Sequence, residues 1–134
     1  MESRVEVPLD TLCSEFADHF SYLLKTQVEA AGSLLILAYE RSHEFLGECE
    51  RRQSIFQFLR HCRHAAAHNG KFHFNKKEPR YPAKWRNLSL GRELQDMPLF
   101  KTSIKDPRGS LSIGDPVYLL REIEQELFNQ KCTK

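Results

Sequence analysis

No apolar run in this chain approaches the roughly 18 residues that a membrane-spanning helix needs. Met1–Val7 mixes charges of both signs with no apolar core, so it does not read as a signal peptide. The four cysteines, Cys13, Cys49, Cys62 and Cys132, are scattered and form no Cys-x-x-Cys. Reduced thiols in a cytoplasmic protein are the expectation. There is no Gly-rich phosphate loop, no Gly-x-Ser-x-Gly and no His-Glu-x-x-His, which removes the usual signatures of P-loop, α/β-hydrolase and helical zinc-hydrolase chemistry. Repeats and low-complexity tracts are also missing. What remains is 134 residues with 40% hydrophobic and 28% charged side chains. That suits one folded domain over 1–134, able to bury about two thirds of its unfolded surface.

The net charge of +2 conceals a strong asymmetry. Residues 1–50 hold three Lys/Arg against ten Asp/Glu, a balance of −7. Residues 51–108 hold fourteen against four, a balance of +10, and residues 109–134 hold three against four. A polyanion such as RNA is the natural partner of the middle block. The plainer alternative is a solvated basic face that pairs internally with the acidic N-terminal part.

Helical spacing dominates the first half. Leu9, Leu12, Phe16, Phe20 and Leu23 recur at three- and four-residue steps, with Pro8 and Asp10 suited to a first turn. Val28, Ala31, Leu35, Ala38, Ser42 and Phe45 continue the stripe, and Gly47 is a plausible stop. With no proline between them, these are two helices broken between Leu24 and Ser33, or one long bent helix. Leu34–Leu37 is apolar on all sides, as in a bundle centre or a subunit interface. A further helix is expected from Glu50 to about His68, with Ile55, Phe58, Leu59, Cys62 and Ala66 facing the core.

Lys71 to Gly114 is poor in helix signals and holds Pro79, Pro82, Pro98 and Pro107, with a turn-like Asp106-Pro107-Arg108-Gly109. Phe72–Phe74 and Leu88–Leu90 alternate like very short strands, and Leu90–Met97 could form one or two helical turns. The last helix has Asp115 as N-cap, Pro116 in its first turn and a stripe of Val117, Leu120, Ile123 and Leu127, with Glu122, Glu124 and Glu126 pointing mostly to water. The expected fold is all-α: an up-and-down bundle of four to five helices, with a long irregular basic loop over about 71–114.

Arg63-His64-Ala65-Ala66-Ala67-His68-Asn69-Gly70 closes the third helical stretch. An arginine presents a permanently charged planar fork to phosphate, and a histidine moves protons near neutral pH. At 100° per residue the two would stand roughly 140° apart on a straight helix. They converge only if the helix ends near Ala67 and His68 swings, or if a second copy of the chain supplies its own pair. The Arg-polar-x3-His pattern resembles that of the HEPN superfamily, small helical domains in which the pair usually closes the third helix. The resemblance spans most of the chain, with its specific part at residues 60–71, and is nearest to small stand-alone HEPN proteins of mobile elements. It implies a metal-independent endoribonuclease of toxin or defence type, a homodimer with the site at the subunit interface, and a possible antitoxin partner. Many HEPN toxins carry a modifiable tyrosine two residues after the histidine; Gly70 stands there, so neutralisation by that route is not expected.

RNA carries its own nucleophile, the 2′-hydroxyl. His68 would act as general base or acid, and Arg63 would stabilise charge on the phosphorane oxygens. His64, Asn69, Arg60 and Lys71 flank the pair as supporting or RNA-binding residues. Asn69-Gly70 also suits a left-handed helix cap. Trp85 interleaved with Lys84 and Arg86 suits stacking of unpaired bases beside phosphate-binding cations, or alternatively a core anchor. His61, His64 and His68 share a helical face, but three histidines on one straight helix rarely reach one ion and no carboxylate or cysteine joins them at ligand spacing. No metal and no cofactor is expected. The rival readings are a non-catalytic RNA- or nucleotide-binding module and a helical protein-interaction domain.

Overall fold

A computed structural model describes residues 9–101 and 109–128, leaving out the side chains at positions 12, 13 and 15–21. Leu12, Phe16 and Phe20 of the first apolar stripe, and Asp106, Pro107 and Arg108 of the expected turn, lie outside what is described.

Leu9–Phe45 is one uninterrupted helix, α1, of 37 residues, about 55 Å long. The two-helix alternative is thereby set aside. Among its described side chains, α1 buries a narrower stripe than the spacing suggested. Ala31 and Leu35 are buried, while Leu23, Leu37 and Phe45 are exposed, and Leu46, just past the helix end, takes the buried place expected of Phe45. In the Leu34–Leu37 run, only Leu35 is fully enclosed.

The expected Glu50–His68 helix is split. α2 covers Glu48–Arg51 and α3 covers Ser54–Ala67. Gln53 between them is extended, at φ −61° and ψ 142°. The break leaves the Arg51 carbonyl without a helical partner, and the buried Gln57 amide donates to it at 2.6 Å. Ile55, Phe56, Phe58, Leu59, Cys62 and Ala65 of α3 are buried. α3 crosses α1 where Gly32 faces Ala66; a Cβ on Gly32 would lie 3.5 Å from that of Ala66, so small residues set the close approach.

Residues 71–101 form a wall of the core and not a loose loop. Phe72, Phe74, Ala83, Trp85, Leu90, Leu99 and Phe100 are all buried. Ala83–Trp85 (β1) and Leu88–Leu90 (β2) make an antiparallel hairpin, with Ala83 opposite Leu90 and Trp85 opposite Leu88. The chain is mostly helical, as expected, and this hairpin is what the all-α expectation misses. Phe72–Phe74 is no strand, but its backbone is still paired. The Phe72 N–H donates to the Met97 carbonyl at 3.0 Å, and the Phe72 carbonyl accepts from Asp96 at 2.8 Å. Arg92–Leu94 makes a single 3-10 turn.

The returning chain pairs Phe100 with Leu111 in a parallel bridge. The buried Gly109 beside it admits no side chain, since a Cβ would sit 2.1 Å from the Phe100 carbonyl carbon. α4 spans Asp115–Ile123 and continues as a π-helical turn over Glu124–Phe128. Gly114, not Asp115, is the N-cap, and the Asp115 carboxylate accepts the Ser112 N–H at 2.8 Å. The buried stripe is Pro116, Leu119, Ile123 and Leu127. Val117 is exposed and Leu120 only partly covered. With apolar residues at 116, 117, 119 and 120, two stripes one step apart were equally periodic; docking against α1 and α3 selects this one.

Among the described residues, no helix is long and apolar enough to cross a membrane. Cys62 is free and buried, and burial pushes its thiol well above the usual range, which makes it inert. Cys49 is disulfide-bonded, so the expectation of reduced thiols fails there; scattered spacing in sequence carries no information about proximity in space.

Candidate functional site

α3 is stopped by its own residues. His68 leaves helical geometry at φ −126° and ψ 75°. Asn69 and Gly70 follow with left-handed φ of 62° and 70°. The Gly70 N–H donates back to the Ala65 carbonyl at 2.9 Å, the six-to-one closure of a Schellman cap. The Gly70 carbonyl then accepts the Leu99 N–H at 2.8 Å, tying the helix end to the chain that returns beside it. Capping is thus the role of Asn69-Gly70.

His68, just past the helix end, lies against His64, its neighbour one turn back. Their ring centroids lie 4.4 Å apart. His73 joins them, 6.2 Å from His64, with its Nδ1 facing the Gln95 amide nitrogen at 3.0 Å. Burial, and then the neighbouring His68, lower the pKa of His64, which keeps that ring neutral near pH 7.

Arg63 turns toward α1. Its Nη2 donates to Glu40 Oε1 at 2.7 Å, and its guanidinium lies 5.7 Å from the Tyr39 ring centre. Its Nε is buried with no hydrogen-bond partner among the described residues. The pair is substantially exposed, with Glu40 half open to solvent, so it contributes under about 1 kcal/mol and orients Arg63 more than it stabilises the fold.

Arg63 and His64 line a polar cavity of about 150 Å³ together with Tyr39, Arg60, His61 and Glu78. His68 does not line it and connects through His64. His61 forms its floor, buried and 5.2 Å from the Phe74 ring. Burial foremost, then Arg60, pushes the His61 pKa down to about 4. The 3.9 Å approach of its Nδ1 to Glu78 is therefore not an ion pair at neutral pH. Glu78 instead meets Arg60 at 3.4 Å.

The outer residues fare differently. Trp85 is no platform for bases: it is 4% exposed, packs on Phe58 at 5.7 Å, and donates its indole N–H to Glu122. Arg86 is engaged too, with Nη2 2.8 Å from Glu122 Oε1 and its guanidinium 4.5 Å over Trp85. The hydrogen bond to Glu122 raises the pKa of Arg86 and lowers that of Glu122, so Glu122 is not a solvated face residue. Lys71 and Lys84 are exposed, Lys71 pairing through its backbone with Pro98. The roles of Glu40, Tyr39, Glu78 and His73 escaped residue-level reading. The acidic balance of the N-terminal half pointed to an internal partner for Arg63 without saying which.

Another cavity, about 870 Å³, runs along α1 and reaches Asn69 and Gly70. Its walls are mostly apolar, and its ionisable side chains are Lys25 and Glu29, so it lacks the imidazole chemistry of the smaller site. Among the described residues, no group of three or more His, Cys, Asp or Glu is placed to hold a metal ion. Comparison with protein-family models, curated proteins and solved structures found no match to this chain.

Proposed function

We propose that this chain is a metal-independent endoribonuclease of HEPN type, acting on cellular RNA as a toxin or defence nuclease. The observation that carries the reading is the end of α3: Arg63 and His64 line one cavity, and the His68 ring lies tilted against His64. A neutral imidazole takes the 2′-hydroxyl proton as the 2′-oxygen attacks phosphorus. The P–O5′ bond breaks, and a protonated imidazole supplies the proton to the departing 5′-oxygen. His68 serves as acid or base, with His64 as its neutral neighbour. Arg63, held by Glu40, stabilises the charge gathering on the phosphorane. The ends are a 2′,3′-cyclic phosphate and a 5′-hydroxyl. The resemblance further implies two copies meeting at their α3 ends, in the cytoplasm, with an antitoxin as a possible regulator.

RNA incubated with the purified chain in EDTA is cut to those ends, and His68→Ala or Arg63→Ala slows cutting by at least about 100-fold. Equal cutting by wild type and His68→Ala, or no cutting at all, overturns the reading. One observation favours a binding module instead: Arg63 already has an internal carboxylate partner. That alternative predicts salt-dependent RNA binding, weakened by Arg63→Ala, with the RNA left intact.

A further inference from the structure

Next to the small cavity lies a second, open groove of about 530 Å³ that no motif announced. The two share Tyr39 and Arg60 as a common wall. Arg51, Arg52, Arg60 and Arg80 line the groove, along with Tyr81. Glu48 is its one acidic lining residue, and it pairs with Arg52, so positive charge is left over.

We propose that this groove is the seat of a single-stranded RNA segment leading to the α3 end, with Tyr81 stacking a base and the arginines holding the flanking phosphates. The inference rests on RNA being the substrate, and it moves the RNA contacts away from Trp85 and Arg86. Three observations support it. Arg52 and Arg80 each hold a guanidinium over the Tyr81 ring, 5.5 Å from its centre, so two cations and one ring are gathered at one spot, and a base that stacks on Tyr81 takes the place of a guanidinium that then turns to phosphate. A strand with alternating phosphates and planar bases matches that grouping, and a duplex, whose bases stack on each other, does not. Arg51 is fixed by donation from Nη2 to the His43 carbonyl at 2.8 Å, while its Nε is buried with no hydrogen-bond partner among the described residues. A buried N–H in that state calls for a partner from outside the chain, such as water or an anion. Finally, the shared wall leads directly to Arg63 and His64, so a strand lying in the groove enters the proposed site without crossing the sealed hairpin.

The test uses the full chain carrying His68→Ala, with fluorescein-labelled dodecauridylate read by anisotropy over a salt series. Arg52→Ala with Arg80→Ala is expected to weaken binding at least tenfold and to flatten the slope of log affinity against log salt by about 1.4. Tyr81→Ala weakens binding about tenfold and Tyr81→Phe less than twofold; Lys84→Ala changes it less than twofold. Arg52→Lys with Arg80→Lys, which keeps the charge, separates lost contacts from lost folding. Affinity insensitive to the groove changes, or sensitive to Lys84 instead, overturns the groove, as does a duplex RNA bound as tightly as the single strand. Cleavage is scored separately in the wild-type background. Groove-dependent binding without cleavage keeps the groove and sinks the nuclease. Cleavage that ignores the groove variants does the reverse.

Discussion

On one side of α3, Phe58 packs on Trp85, and Trp85 and Arg86 both bond to Glu122 of α4. On the other side, Arg60, Arg63 and His64 line a cavity, and two guanidiniums flank Tyr81 in an open groove. Both sides present arginine against an aromatic ring. They differ in whether a carboxylate from a distant element reaches in. Where Glu122 arrives, the cations and the indole become structure. Where Glu40 arrives, it occupies one amino group of Arg63 and leaves an Nε without a partner. Basic-aromatic interleaving in a sequence therefore identifies material for an RNA surface without identifying which copy is free to serve.

The largest effect should come from breaking the sealed side. Trp85→Ala removes a large buried ring from the contact with Phe58 and leaves the Glu122 carboxylate short of a donor. A stability loss of about 3–5 kcal/mol is expected, measured by denaturant midpoint at constant m-value. RNA affinity of the folded protein should change less than twofold. A loss under about 1 kcal/mol with weakened RNA binding would exchange the roles of the two sides.

His61 lies beneath the open side and gives it a pH dependence. Its folded pKa is about 4 against an ordinary 6.5, so between those values the unfolded chain binds more protons. The stability that the neutral buried ring contributes is fully present above about pH 6.5. It is lost as pH falls toward 4, on the order of 3 kcal/mol in all, and changes no further below. Denaturation midpoints of wild type and His61→Asn across pH 4–7 test this: the wild-type curve should fall more steeply with acid. Parallel curves would mean that His61 is solvated and that the cavity has no such floor.

What could be read in advance follows from the range of each interaction. The stop at Asn69-Gly70, most of the core face of α3 and Pro116 in the first turn of α4 depend on neighbours within about five residues, and local pattern carried them, though the cap fell one residue early, at Gly114. The stripe of α4 was misplaced by one step at Val117 and Leu120, because adjacent apolar residues made two stripes equally periodic. Trp85 with Glu122, Arg63 with Glu40 and Phe72 with Met97 are separated by 23 to 37 residues, and nothing local specifies them. The 71–101 segment looked irregular because its pairing is made by single bridges and backbone bonds to distant residues, which leave no periodicity to detect.

Glu40 sharpens the comparison at smaller cost. As a positioning residue it should affect turnover and not RNA capture. Glu40→Gln is expected to lower kcat about tenfold, equivalent to about 1.4 kcal/mol, with KM within twofold and partial rescue by Glu40→Asp. A change in KM alone would place Glu40 in the binding surface instead of behind Arg63.

The smallest effect is the most direct test of what makes the sealed side inert. Glu122→Gln keeps an oxygen to accept the Trp85 N–H and removes the charge that holds Arg86. The core should survive, with a melting temperature reduced far less than by Trp85→Ala. Arg86 sits at a left-handed turn position, φ 54°, with exposed Lys84 nearby in the hairpin, so its release adds a free cation beside another. Dodecauridylate affinity should then rise about two- to threefold, and the salt slope should steepen by about 0.7, one phosphate contact's worth on a single strand. An unchanged affinity would show that charge pairing is not what separates the two sides. The distinction would then lie in shape, in the groove around Tyr81 and its absence around the buried Trp85.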